Sequence, residues 1–306
     1  MLSEKVSHVE ELCYARRYVV LDGRAQGERV IEVHNGCLSF TVLESRALDL
    51  HSFRHKGTNL SFICRNGLGT ENGFANSFNG GMLYTCGLET VGARALPVHG
   101  SIHNLPADVS SVKYDEDGVK IIGFVRQSEL FGKNLLFKRR IFTAVNSDEV
   151  TIETEICNEG YTDAEYCVLF HMNVGYPMLD EGVRIEADVR STTPRTQWAR
   201  ENVERCFLME HPIADTEEQV FFHQVNTGKV CVVNDALKKK LTFSYDSEML
   251  PHFIEWKSMV SGSYALGIEP STTTLDGDFC MKKIASGEVH RYVIQIKAED
   301  GKDDGK

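Results

Sequence analysis

Along most of the chain, apolar and polar positions alternate with a period of two. In VTIETEI (150–156), Val150, Ile152, Thr154 and Ile156 fall on one face, with Glu153 and Glu155 on the other. LTFSY (241–245) sets Leu241, Phe243 and Tyr245 against Thr242 and Ser244. KVCVVND, RYVIQIKA and FKRRIF are similar: short, β-branched or aromatic, and bounded by Gly, Asn or Asp. SSVKYDEDGVKIIGFV predicts a hairpin that turns at Asp117-Gly118. Helical periodicity is confined to residues 3–13 and a turn or two within 199–210. The fold class expected is all-β, a large antiparallel β-sandwich or barrel with little helix. No Pro- or Ser-rich linker and no internal repeat divides residues 1–306, so one domain is expected. The charged, Gly-containing end, about 298–306, is expected to be disordered.

Composition narrows the classes of function. The 306 residues are 42% hydrophobic and 25% charged, enough apolar material for a sizeable core. Forty-four acidic against 33 basic side chains give a net charge of −11. That balance repels nucleic acid and anionic membranes but leaves a neutral small molecule unaffected. No apolar run approaches the length of a membrane span, and MLSEKVSHVEELCYARRYVV has no uninterrupted hydrophobic signal segment. The nine cysteines are odd in number and contain no C-x-x-C pair. They read as free, mostly buried thiols of a cytoplasmic protein.

Chemistry-bearing residues gather in a few places. GLETVGARALPVHGSIHNLPA (87–107) holds Glu89, His99, His103 and Asn104 among Gly and Pro that forbid a regular helix. In LFHMNVGYP (169–177), His171 interrupts an apolar strand and Asn173 follows on the same face. HFIEWKSM carries Glu255 and Trp256, LGIEPST carries Glu269, and ESRALDLHSFRHKG carries Arg46, Asp49 and His51. Each has a plainer explanation. A histidine in an apolar strand is usually a hydrogen-bonded core residue, Glu255 fits a solvent-facing strand position, and Arg46 with Asp49 fits a structural ion pair. His99 and His103, four apart, suit sugar hydroxyls, proton transfer or a metal. A metal would also need Glu89 or Glu269.

The order NGGMLYTCGLETVG, HGSIHNLPA, LFHMNVGYPMLDEG, FIEWK, LGIEPST, spread from about Asn35 to Lys297, resembles the aldose 1-epimerase (galactose mutarotase-like) superfamily, and within it a bacterial branch. The resemblance implies an antiparallel β-supersandwich with a sugar-sized cleft on one open face. It also implies Glu269 as general base, His171 as general acid and His99 as a sugar-binding histidine near the ring oxygen. The G-R-x-x-N-R-I element of typical mutarotases is replaced here by NSFNGGMLYTCGLET, without its arginine; Arg46 is the candidate replacement.

The function expected is anomer interconversion of a small-molecule sugar, without a cofactor and with no metal assigned. Glu269 and His171 would be catalytic. His99, His103, Asn104, Glu89, Arg46, Asn173, Glu255 and Trp256 would bind substrate, with Tyr176, Phe74 and Phe78 as further aromatic surface. Two alternatives stay open. One is a metal-dependent epimerase or isomerase acting at a carbon centre through His99, His103, Glu89 and Glu269. The other is a non-catalytic carbohydrate-binding or sensing protein. The oligomeric state cannot be read from the sequence.

Overall fold

The computed structural model describes residues 4–69 and 73–301. Two antiparallel sheets account for the period-two segments. The first runs in chain order through β1 (Tyr14–Val19), β2 (Arg29–His34), β3 (Leu38–Leu43), β4 (Asp49–His55) and β5 (Thr58–Asn59). The second, of 13 strands, begins with β6 (Tyr84–Leu88), β7 (Asp108–Asp115), β8 (Gly118–Ser128), β9 (Asn134–Ala144) and β10 (Glu149–Asn158). It continues with β11 (Ala164–Val174), β12 (Arg184–Pro194), β13 (Gln219–Asn234) and β14 (Lys239–Tyr245). β15 (His252–Ser258), β16 (Ala265–Ser271), β17 (Lys282–Ile284) and β18 (Val289–Asp300) complete it. Its order is β17-β11-β16-β15-β13-β14-β18-β10-β9-β8-β7, with β6 added at β11 and β12 at β13.

Alternation decides which side chains enter the core. Val150, Ile152, Thr154 and Ile156 of β10 are buried, while Glu153 and Glu155 meet Arg140 on the outer face. Leu241, Phe243 and Tyr245 of β14 are buried likewise. The β7–β8 hairpin pairs Asp115 with Gly118 around Glu116 and Asp117. Gly118 is required there. Its φ is +140°, and a Cβ would lie 2.2 Å from the Thr143 carbonyl.

The helical expectations shrink to short turns. Within 3–13 a single 3-10 turn forms at Val9–Glu11, and Ser3 lies outside the described residues. Within 199–210 the chain makes the end of a five-residue helix (Gln197–Glu201) and a 3-10 turn (Val203–Arg205). The expectation of disorder from residue 298 is corrected for 298–300. β18 runs to Asp300, Ala298 is buried, and the Asp300 carboxylate accepts from Lys239 (2.6 Å) and Lys56 (2.7 Å). Residues 302–306 lie outside the described residues. No helix among the described residues is long and apolar enough to cross a membrane. All nine cysteines are free; five are buried and Cys280 is exposed.

The two sheets are joined at Arg139 of β9, whose side chain is fully buried. Its guanidinium donates to Asp49 of β4 (2.7 Å), to the Ala47 carbonyl (3.1 Å), to Thr85 of β6 (2.9 Å) and to Thr154 (3.2 Å). Asp49 also accepts from the Thr85 hydroxyl (2.6 Å) and amide (2.8 Å). Removing one partner of such a pair strands the other charge in the interior. Asp49→Ala therefore lowers unfolding stability by about 3–5 kcal/mol, read as a fall in the urea midpoint. A loss within experimental error would show that the clamp is dispensable.

Candidate active site

Strand register brings His171 and Glu269 together. β11 and β16 pair Leu169 with Ser271 and Met172 with Ile268, which sets His171 directly opposite Glu269. β15 pairs Ile254 with Glu269 and Trp256 with Gly267, β13 pairs Val220 with Trp256, and β6 pairs Tyr84 with His171. Side chains two apart share a face. One face therefore carries Tyr84, Cys86, His171, Glu269, Ile254, Trp256 and Val220. The other carries Phe170, Met172, Ile268, Phe253, Glu255 and Lys257. Gly267 leaves room for the pair. A Cβ there would lie 2.7 Å from Glu269 Oε1, 2.7 Å from His171 Cε1 and 3.2 Å from the Trp256 Cβ.

On the first face lies a cavity of about 390 Å³. His171, Glu269, Trp256 and Val220 form its floor, and the loops bearing Phe62, Phe74, Phe78, Val98, His99, Arg195, Glu218 and Leu275 form its walls. The Trp256 ring stands edge-on to His171 at 5.5 Å, and its indole N–H donates to Glu218 (2.7 Å). Arg195, at the rim, pairs with Asp276. Phe74 packs on His99 (4.8 Å) and Phe78 on His171 (6.2 Å).

The glycines of 87–107 exist to present His99. Its φ is +63°, in the left-handed region that few side chains adopt. Gly87 and Gly92 hold it through three hydrogen bonds: its amide to the Gly92 carbonyl (2.7 Å), its carbonyl to the Gly87 amide (2.9 Å), and its Nδ1 to the Gly92 amide (3.3 Å), with Cys86 Sγ also 3.3 Å from Nδ1. Gly100 follows at φ +78°, where a Cβ would lie 2.2 Å from the Gly87 carbonyl oxygen. Because Nδ1 accepts from Gly92, the ring proton of neutral His99 resides on Nε2. Burial lowers the His99 pKa to about 4, which keeps the ring neutral.

His171 Nε2 lies 3.0 Å from Glu269 Oε1, and both side chains are buried. Burial pushes the Glu269 carboxyl up, helped by the Glu218 carboxylate, and pushes the His171 imidazole down. Both shifts oppose a net charge on the pair. The state favoured is one proton shared between Nε2 and Oε1.

The other residues singled out in the sequence are placed elsewhere. Glu255 faces away from Trp256. It is wholly buried on the opposite face of β15, bonded to His223 Nε2 (2.9 Å), because adjacent strand residues point to opposite sides. Arg46 is buried behind the cavity, bonded to Asn104 (3.1 Å) and the Gly69 carbonyl and 3.7 Å from Glu28. Arg46 thus pairs with Asn104 outside the cavity lining, with its Nε left without a hydrogen-bond partner. Glu89 accepts from Gln127 (2.9 Å), and Asn173 donates to the carbonyls of Gly81 (2.9 Å) and His171 (3.1 Å). His103 stacks on the inner side of Tyr84 at 4.4 Å, and burial lowers its pKa to about 3. Tyr176 is largely exposed, Asp49 belongs to the clamp, and His51 meets Asn79. Tyr84 packs against both His99 and His103, and Glu89 is turned to Gln127. Among the described residues no group of three or more His, Cys, Asp or Glu could hold a metal ion. The set needed for the metal reading does not converge.

Arg195 and Glu218 of the cavity wall, and Gly267 beside the pair, were not singled out in the sequence, nor were the lining residues Phe62, Val98, Val220, Ser258, Ser263 and Leu275. A glycine inside a strand signals a close approach, so Gly267 carried a readable cue. Arg195 and Glu218 stand in segments with no distinguishing pattern.

This architecture is that of the galactose mutarotase-like proteins. A candidate aldose 1-epimerase from Klebsiella pneumoniae is 22% identical, with a TM-score of 0.83 over 94% of this chain and 84% of that one. A galactose mutarotase-like protein from Clostridium acetobutylicum is 13% identical, with a TM-score of 0.72 over 95% and 99%. A galactose mutarotase related enzyme from Lactobacillus acidophilus is 10% identical, with a TM-score of 0.65 over 90% and 99%. At residues 25–297 the sequence matches the family described as a domain of unknown function (DUF4432), and the chain belongs to it. No curated protein matches the sequence.

Gly267→Ala tests the packing of the pair. The added methyl is expected to cost about 1–3 kcal/mol through overpacking and to shift the His171 ring-nitrogen NMR resonances. Unchanged resonances at full stability would contradict the close approach.

Proposed function

We propose that the chain, acting as one carbohydrate-handling domain without a cofactor, interconverts the anomers of an aldose in this cavity. The observation that carries the reading is the His171–Glu269 pair, opposed in register at 3.0 Å on the floor of a small cavity with a tryptophan beside it. The likeness of the fold to proteins named for this reaction supports it.

Anomer exchange needs a proton removed from the C1 hydroxyl and one delivered to the ring oxygen. With the shared proton on His171, Glu269 as carboxylate takes the first, and His171 as imidazolium delivers the second. The C1–ring oxygen bond breaks as the C1 carbonyl forms. The C1–C2 bond then rotates, and the reverse transfers close the ring on the other face. The proton taken by Glu269 returns to the new C1 hydroxyl, and His171 recovers its own from the C5 hydroxyl. The pair thus begins and ends with the one proton it shares. His99 Nε2–H is a fixed neutral donor for the ring or anomeric oxygen, and Trp256 gives the C–H face of the sugar a surface.

Exchange NMR on a panel of free aldoses tests the reading. Positioned acid–base groups contribute about 10²–10⁴-fold each, so Glu269→Gln is expected to remove catalysed exchange by that order while sugar binding persists. Binding without exchange in the wild-type protein would overturn catalysis and favour a binding role. New signals of an epimeric sugar would move the chemistry to another carbon.

The rate is expected to be bell-shaped in pH. At low pH the pair takes a second proton and the base is lost; at high pH it gives up its only proton and the acid is lost. Burial opposes both charged extremes, so it moves the acid limb down and the alkaline limb up, giving a plateau wider than separate, exposed groups would give. A single-limbed profile would contradict a shared-proton pair.

A further inference from the structure

Taking the anomer-exchange reading as its base, we propose that the sugar is a 6-deoxyaldohexose, with a methyl group where common hexoses carry a hydroxymethyl. The pair orients the ring. Glu269 serves the C1 hydroxyl and His171 the ring oxygen, so the C2 hydroxyl extends on the Glu269 side and the C5 substituent on the His171 side. The two sides of the cavity differ chemically.

Beside Glu269 stand the Glu218 carboxylate and the Arg195 guanidinium, and the Ser258 and Ser263 hydroxyls add polar groups to the same cavity lining. These groups match a run of sugar hydroxyls. On the His171 side the wall is Phe78, at 6.2 Å from the His171 ring, and Phe74, at 4.8 Å from His99, with Val98 and Leu275 beyond them. Those four side chains offer no hydrogen-bond donor or acceptor. The Gly92 backbone, packed against Leu275, is also spoken for, since its amide donates to His99 Nδ1 and its carbonyl accepts from the His99 amide. His99 Nε2–H is occupied by the ring or anomeric oxygen. A C6 hydroxyl placed against these side chains loses its water partners and gains none from them, whereas a methyl meets carbon. An apolar pocket rejects an added hydroxyl by on the order of 10²-fold.

Matched sugars test this: D-galactose with 6-deoxy-D-galactose, D-glucose with 6-deoxy-D-glucose, and L-mannose with 6-deoxy-L-mannose. For each pair, kcat/KM for anomer exchange is measured by NMR and Kd by titration calorimetry on the wild-type protein. In the configuration the cavity accepts, the deoxy member is expected to lead by roughly 10- to 100-fold in both. Phe74→Ser, which offers a hydroxyl to C6, should narrow that ratio. Equal values, or preference for the hydroxymethyl sugar, would overturn the inference while leaving anomer exchange intact. Deoxy-selective binding without exchange would uphold the cavity's preference and overturn the catalytic reading. Neither binding nor exchange with any of the six would overturn both.

Discussion

Four segments are tied to the buried guanidinium of Arg139, and the geometry of the candidate site is built outward from it. Arg139 reaches from β9 across the sheet interface to Asp49 of β4, and Asp49 in turn holds both the amide and the hydroxyl of Thr85. Thr85 points into this clamp. Its neighbours Tyr84 and Cys86, by strand alternation, point the other way into the cavity face. Cys86 Sγ lies 3.3 Å from His99 Nδ1, and Tyr84 pairs in register with His171. A single buried ion pair thus sets the position of β6. Through β6 it sets β11, and through β11 the row that ends at Glu269.

The far face of the same sheet uses polar groups for stiffness. His223 lies between Phe207 and Phe253, with ring centroids at 5.0 and 4.9 Å, and is bonded to Thr192 Oγ1 and Glu255 Oε2, each at 2.9 Å. Lys257 Nζ donates to the carbonyls of Arg205 (3.1 Å), Cys206 (3.2 Å) and Leu208 (2.8 Å), anchoring the short turns beside the sheet. Such hydrogen-bonded interior groups look, one residue at a time, like functional groups in a strand. Only their bonds distinguish them.

That difference explains how much could be read beforehand. The strands, the hairpin at Asp117-Gly118 and the all-β class followed from local alternation, which is a property of neighbouring residues. The pairing of His171 with Glu269, 98 positions apart, depends on register, and local pattern carries no information about it; the resemblance to a known superfamily supplied it. Glu255 and Trp256 are adjacent, so period two allows only one of them on the cavity face, and the pattern does not say which. Arg46 and Asn104 were plausible hydroxyl binders as types, but they bond to each other and neither lines the cavity. Residues 298–300 have the composition of a tail, yet Lys56 and Lys239 pair with Asp300 and draw them into β18.

On the proposed function, His171 and Glu269 act as one proton-sharing unit on a bound sugar. A double-mutant cycle on catalysed anomer exchange, comparing Glu269→Gln, His171→Asn and the double variant, tests it most directly. Residues that act as a unit are grossly non-additive. The double variant is expected to be no slower than the worse single variant. Losses that multiply would show two independent contributions and contradict it.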